Sequence, residues 1–115
     1  MLYPANRHLI GYKTRTWPQI MKLYSDCEPM LWLVEQIVAS RYGSSLYPTT
    51  SMDTLIIGQS EVWYPCHEVL NIDYRGQFTF TFWENPFVKP WVTHSTTEAG
   101  FQRFERCMAV KKWFG

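Results

Sequence analysis

Residues 67–82 read His67-Glu68-Val69-Leu70-Asn71-Ile72-Asp73-Tyr74-Arg75-Gly76-Gln77-Phe78-Thr79-Phe80-Thr81-Phe82. Two runs here alternate with the period of two that marks a strand with one face buried. Leu70 and Ile72 share one face of the first run, with Val69, Asn71 and Asp73 on the other. Phe78, Phe80 and Phe82 share one face of the second, with Thr79 and Thr81 opposite. Between them lies Tyr74-Arg75-Gly76, a turn signal. A two-residue Arg75-Gly76 loop pairs Ile72 with Thr79 and sends the two apolar rows to opposite sides. A three-residue loop, Tyr74 to Gly76, pairs Ile72 with Phe78 and Leu70 with Phe80, which keeps both rows on one side as register requires. The sequence therefore predicts an antiparallel hairpin with a three-residue loop and Gly76 left-handed.

Toward the N-terminus the periodicity changes to helical. Thr16-Trp17-Pro18 is a start signal, since a proline in the first turn lacks only an N–H that has no helical partner. Ile20, Met21 and Tyr24 follow at helical spacing. Ser25-Asp26-Cys27-Glu28-Pro29 interrupts, with Ser25 or Asp26 placed to cap a second helix near Pro29. Met30, Leu31, Leu33, Val34, Ile37 and Val38 then form a wide apolar stripe, and Gly43 is expected to end it. Residues 44–52 are polar and read as a loop. Asp53 to Ile57 reads as a strand ending at Gly58, and Glu61 to Tyr64 as another stopped by Pro65. Beyond the hairpin, Pro90 to Thr93 reads as a short edge strand. Ser95-Thr96-Thr97-Glu98 has the spacing of a capping box before a helix carrying Phe101, Phe104, Cys107 and Met108. The order helix, helix, strands, helix predicts one α+β domain over residues 1–115. In it, a mostly antiparallel sheet packs against N-terminal helices and a C-terminal helix.

Composition narrows the function. Hydrophobic residues make up 46% of the chain and charged residues 18%, which excludes intrinsic disorder. The net charge is +1, without the basic excess of a nucleic-acid binder. The charge is unevenly placed. Residues 1–50 carry +2, residues 51–98 carry −4 and residues 99–115 carry +3, so an acidic block lies between basic ends. The three cysteines, Cys27, Cys66 and Cys107, have no paired spacing and read as free thiols in a reducing cytoplasm. No apolar run reaches the length of a membrane span, and Met1 to His8 lacks the apolar core of a signal segment. A cytoplasmic location is expected.

Chemical motifs are absent. His8, His67, His94 and the cysteines offer no CxxC, HxxxH or HExxH spacing, so neither metal nor cofactor is expected. Cys66 and His67 are adjacent and point to opposite faces of a strand. Glu68 and Asp73, five residues apart, also fall on opposite faces and make a poor acid–base pair. There is no GxSxG nucleophile turn and no phosphate-binding GxxxxGK. What remains is a mixture of carboxylates and rings in one stretch: Asp53, Glu61, Trp63, Tyr64, Glu68, Asp73, Tyr74 and Glu84. Aromatic anchors among charges suit a basic protein partner, and the same residues also suit an acidic strand edge that resists aggregation.

The C-terminal layout adds a resemblance. Gln77-Phe78-Thr79-Phe80-Thr81-Phe82, a proline-containing connection, and a Ser95-Thr96-Thr97-Glu98 helix with Phe101, Arg103 and Phe104 span roughly the last 50 residues. With the small size and missing catalytic motifs, this resembles the immunity proteins of bacterial contact-dependent growth inhibition. That resemblance implies a non-enzymatic cytoplasmic antitoxin whose partner is a cognate toxin domain, a nuclease by expectation. The acidic block would then be the toxin-facing surface, although the chain as a whole is less acidic than many nuclease inhibitors. Two alternatives stand beside it. One is a small ligand-binding or enzymatic domain around Cys66, His67 and His94, and the other is a subunit of a phage or mobile-element complex.

Overall fold

The computed structural model describes residues 14–60, 68–84 and 89–113. Its helices are α1 (Trp17–Leu23), α2 (Glu28–Ala39) and α3 (Gly100–Lys111). Its strands are β1 (Tyr47–Ser51), β2 (Thr54–Gly58), β3 (Val69–Tyr74), β4 (Phe78–Trp83) and β5 (Trp91–Ser95). The strands form one antiparallel sheet in the order β1-β2-β3-β4-β5. This is the α+β arrangement that the patterning predicts.

The core lies between the helices and one face of the sheet. Leu55, Ile57, Leu70, Ile72, Phe78, Phe80 and Phe82 supply that face, against Ile20, Met30, Leu33, Val34, Ile37, Phe104, Cys107 and Met108 from the helices. The three β4 phenylalanines are fully buried. Each contributes about 1.5–3 kcal/mol relative to an exposed ring, and none is open for stacking on a base.

The hairpin differs from expectation by one step. Tyr74 pairs with Phe78, Ile72 with Phe80 and Leu70 with Phe82, so the three loop residues are Arg75, Gly76 and Gln77. Both apolar rows stay on the core side in either register. The observed one adds a rung, bringing the Tyr74 and Phe78 rings to 4.9 Å and the Tyr74 hydroxyl to 2.8 Å from Thr97 Oγ1. Gly76 is left-handed, with φ 78°, at the centre of the loop.

Four boundaries need correction. Residues 47–51, expected in a loop, form strand β1. It lacks an apolar alternation and is held by its pairing with β2, and Pro48 is tolerated because β1 is an edge. Helix α2 takes Cys27 as its N-cap with no side-chain cap bond, in place of Ser25 or Asp26. It ends at Ala39, four residues before Gly43. Gly43 is still needed, because a Cβ there would meet the Val38 carbonyl oxygen at 2.8 Å. The Ser95–Glu98 capping box does not form. Ser95 pairs with Phe78 in the sheet, so its backbone is committed to the ladder, and Thr96 Oγ1 instead accepts the Ala99 N–H at 3.2 Å. By contrast, Thr16 caps α1 as expected, in a reciprocal capping box with Gln19. The strand predicted at Glu61 to Tyr64 lies outside the described residues.

Candidate functional site

Antiparallel pairing sorts the acidic block by position along the strands. Glu68 and Glu84 sit at one end of the β3–β4 pair, and Asp73 sits at the other. Five residues at about 3.3 Å each separate Glu68 from Asp73 by roughly 17 Å. That exceeds the screening length of about 8–10 Å at ordinary ionic strength, so the two ends act as separate electrostatic sites.

At the first end, the C-terminal helix and the residues just beyond it engage both carboxylates. Lys111 Nζ lies 3.1 Å from Glu84 Oε1. It also sits over the Phe82 ring at 4.6 Å and the Trp91 ring at 5.4 Å. Trp113 Nε1 donates to Glu68 Oε1 at 3.2 Å, while the Trp113 ring packs 5.3 Å from Phe82. Glu68 and Glu84 thus fasten α3 to the sheet.

The second end is different. β1 and β2 are joined by the two-residue turn Met52-Asp53, since Ser51 pairs with Thr54. Met52 has φ 56°, in the left-handed region that side chains with a Cβ disfavour, and is 97% exposed. Two clefts flank it. One, of about 450 Å³, opens on the face of the sheet away from the helices. It is lined by residues that include Ile56, Asn71, Asp73, Arg75 and Asp53. The other, of about 500 Å³, lies between the sheet end and the α1–α2 connection, and its lining includes Leu23, Tyr24, Asp26, Met30, Asp53 and Tyr74. Leu23 is also exposed. Three carboxylates, Asp26, Asp53 and Asp73, therefore surround two exposed apolar side chains, with Arg75 as the cation lining the first cleft.

Hydrogen bonds set this end in place. Thr54 Oγ1 donates to Asp73 Oδ1, fixing the carboxylate against β2. The Tyr24 hydroxyl donates to the Asp53 carbonyl at 3.0 Å, tying α1 to the turn. Burial, followed by the fields of Asp73 and then Asp53, pushes the Tyr24 phenol well above its ordinary pKa. Asn71 is 9% exposed, and its Oδ1 has no hydrogen-bond partner. Such an acceptor costs about 1–3 kcal/mol while unsatisfied.

Of the residues singled out in the sequence, the fold brings Asp53, Asp73 and Tyr74 together and takes Glu68 and Glu84 away to the α3 end. Tyr74 lines both clefts, but its hydroxyl is engaged by Thr97. Glu61, Trp63, Tyr64, Cys66 and His67 lie outside the described residues. His94 is exposed on edge strand β5, with Nδ1 3.1 Å from Thr79 Oγ1. Among the described residues no three side chains of His, Cys, Asp or Glu gather as a metal site, and no described helix is long and apolar enough to cross a membrane. Sequence reasoning missed Met52, Leu23, Asp26 and Asn71. Only the alternation of β3 gives a hint, by placing Asn71 beside Asp73 on one face. No protein-family model, curated protein or solved structure matches the chain.

Proposed function

We propose that this chain is an immunity-type inhibitor, a non-enzymatic cytoplasmic protein that binds a cognate bacterial toxin domain and covers its active site. The Met52 turn carries the reading. A left-handed methionine, almost wholly exposed and set among Asp26, Asp53 and Asp73, gives up stability and solubility at one spot. A protein contact that buries the side chain removes that exposed apolar surface from water. Strained conformations of this kind cluster at functional sites. The surrounding carboxylates suit a basic cleft, such as one that binds a phosphodiester in a nuclease, and would speed encounter by electrostatic steering. Met52 and Leu23 supply the apolar contact at the centre.

The test is capture from the native organism with the tagged chain as bait, read by mass spectrometry. The product of the neighbouring upstream gene is the first hit to check. A one-to-one complex with a toxin domain, weakened by substitution at Met52, supports the reading. Absence of any stable partner at physiological salt counts against it.

A further inference from the structure

We propose that the outer edge of β5 pairs with β5 of a second copy of the chain, giving a two-fold dimer with one continuous antiparallel sheet. The inference stands apart from the inhibitor reading. The two edges of the sheet differ. β1 carries Pro48, and the Arg15 N–H donates to the Pro48 carbonyl at 2.8 Å, so the chain itself takes up part of that edge. β5, by contrast, has a neighbour only on its β4 side among the described residues. The outward N–H and C=O groups on its alternate residues are a template for another strand. The usual guards of an edge are missing. Trp91 to Ser95 holds no formal charge and no proline, and the pairing with β4 runs unbroken over five residues, without a bulge. Trp91 is 37% exposed and Val92 48%.

The pairing rules name the occupant. Trp91, Thr93 and Ser95 lie opposite Phe82, Phe80 and Phe78 on the helix side, while Val92 and His94 face away. A two-fold axis normal to the sheet keeps every side chain on its own face, so odd positions meet odd and even meet even. Among such registers, the one centred on Thr93 pairs all five residues. It sets Thr93 against Thr93 of the second copy, Val92 against His94 and bulky Trp91 against small Ser95, with no formal charges opposed. The same register carries Lys89, just before the strand, to the end where Glu98 of the other copy lies, and does so twice. Both side chains are exposed, and neither has an ion pair among the described residues. Within one copy the length of β5, roughly 17 Å at about 3.3 Å per residue, keeps them apart. A like-charge approach remains between the two Arg103 side chains, each donating to its own Thr93 Oγ1 at 3.4 Å, and the two Lys89–Glu98 pairs offset it. Five edge residues fall short of the roughly 20–30 per side of a standard interface, so a micromolar dissociation constant is expected.

The experiment is sedimentation velocity on the full chain across the micromolar range, at low salt. The average mass should climb from 13.7 kDa toward twice that value. Over the same dilution series, 15N–1H NMR should show shifts gathered at the β5 amides. Val92→Lys puts a charge on the edge without touching the core and should abolish association, while an unchanged Tm shows its fold intact. Lys89→Glu and Glu98→Lys should each weaken association about tenfold. An equimolar mixture of those two variants should recover it, because the mixed dimer opposes unlike charges at both flanks, a rescue that no contact within one chain produces. A mass of 13.7 kDa throughout the range overturns the inference. So does association that survives Val92→Lys, a mixture that associates no better than either variant alone, or dilution shifts at Met52 and Leu23 in place of β5. If the β5 amides shift only when a captured partner protein is added, the edge takes a foreign strand and the second-copy assignment is overturned.

Discussion

Replacing Met52 by glycine should stabilise the fold and weaken the contact. A left-handed φ costs a residue with a Cβ roughly 1–2 kcal/mol, and Met52 sits at 56°. Glycine removes that cost but loses roughly 0.5–1 kcal/mol more chain entropy on folding. Met52 is 97% exposed, so no packing is lost. The net gain is about 0.5–1 kcal/mol. For 115 residues, an unfolding entropy of about 2.1 cal/mol/K per residue gives roughly 0.24 kcal/mol/K, so Tm should rise by about 2–4 °C. Differential scanning calorimetry reads this directly. Lys112 provides the control, because it is left-handed at the same φ of 56° but caps α3 at the far end of the sheet. Lys112→Gly should raise Tm by a similar amount. Only Met52→Gly should reduce partner affinity, by the 10- to 100-fold that burying a methionine at about 1.5–3 kcal/mol implies. A lower Tm for Met52→Gly would show that the turn is not strained. An unchanged Kd would show that the exposed methionine is not a contact.

Three further outcomes are expected. Gly100→Ala places a Cβ 2.5 Å from the ring of fully buried Phe78 and should cost about 1–3 kcal/mol by overpacking, visible as a lower urea midpoint with an unchanged m-value. Glu84→Gln removes an exposed ion pair with Lys111, so it should change stability by less than about 1 kcal/mol. It should leave partner capture unaltered, whereas Asp53→Asn with Asp73→Asn should reduce capture and its salt dependence. Burial raises the Cys107 thiol from 9.0 to about 11. The unfolded chain then loses this proton first, and the contribution is full below pH 9 and lost as pH rises toward 11. Urea unfolding across that window should therefore show a steeper loss of stability than in Cys107→Ala, and thiol reagents at pH 8 should modify Cys107 only on unfolding.

How much of this was legible depended on whether a property is carried by side-chain period or by long-range pairing. β3, β4 and α3 announce themselves because their apolar residues recur at 2 or 3.6, and burial is what selects them. β1 does not, since Tyr47-Pro48-Thr49-Thr50-Ser51 has no alternation and its strand state comes from backbone pairing with β2. The hairpin loop was predicted at the right length but one residue early. Both registers satisfy the apolar faces, and what separates them is Tyr74, which gains a rung with Phe78 and a hydroxyl contact to Thr97 that lies across the fold. The Ser95 capping spacing misled for a related reason, because a sheet rung with Phe78 outweighs a local cap. At the candidate site, Asp53 and Asp73 were named in the sequence, but their meeting follows from the β2–β3 pairing. Met52 had no signal at all, since nothing in Ser51-Met52-Asp53-Thr54 marks a left-handed turn in the way glycine or asparagine does.

The split of the acidic block bears on how its charges are to be interpreted. Glu68 and Glu84 look in sequence like Asp53 and Asp73, yet their environments differ in one decisive respect. The α3 end carries Lys111 and Trp113, whose donors meet both glutamates, so those carboxylates are consumed in holding a helix. The turn end holds Asp26, Asp53 and Asp73, with one hydroxyl donated to Asp73 and Arg75 unpaired among the described residues. Carboxylates that a fold has already engaged offer a partner little, because binding must first break the internal bonds. Charge left unbalanced beside an exposed methionine gives a partner two separate gains: Coulombic attraction and apolar burial. These gains coincide at one end of the sheet, which is why the search for a partner-binding surface belongs at the Met52 turn and not along the whole acidic segment.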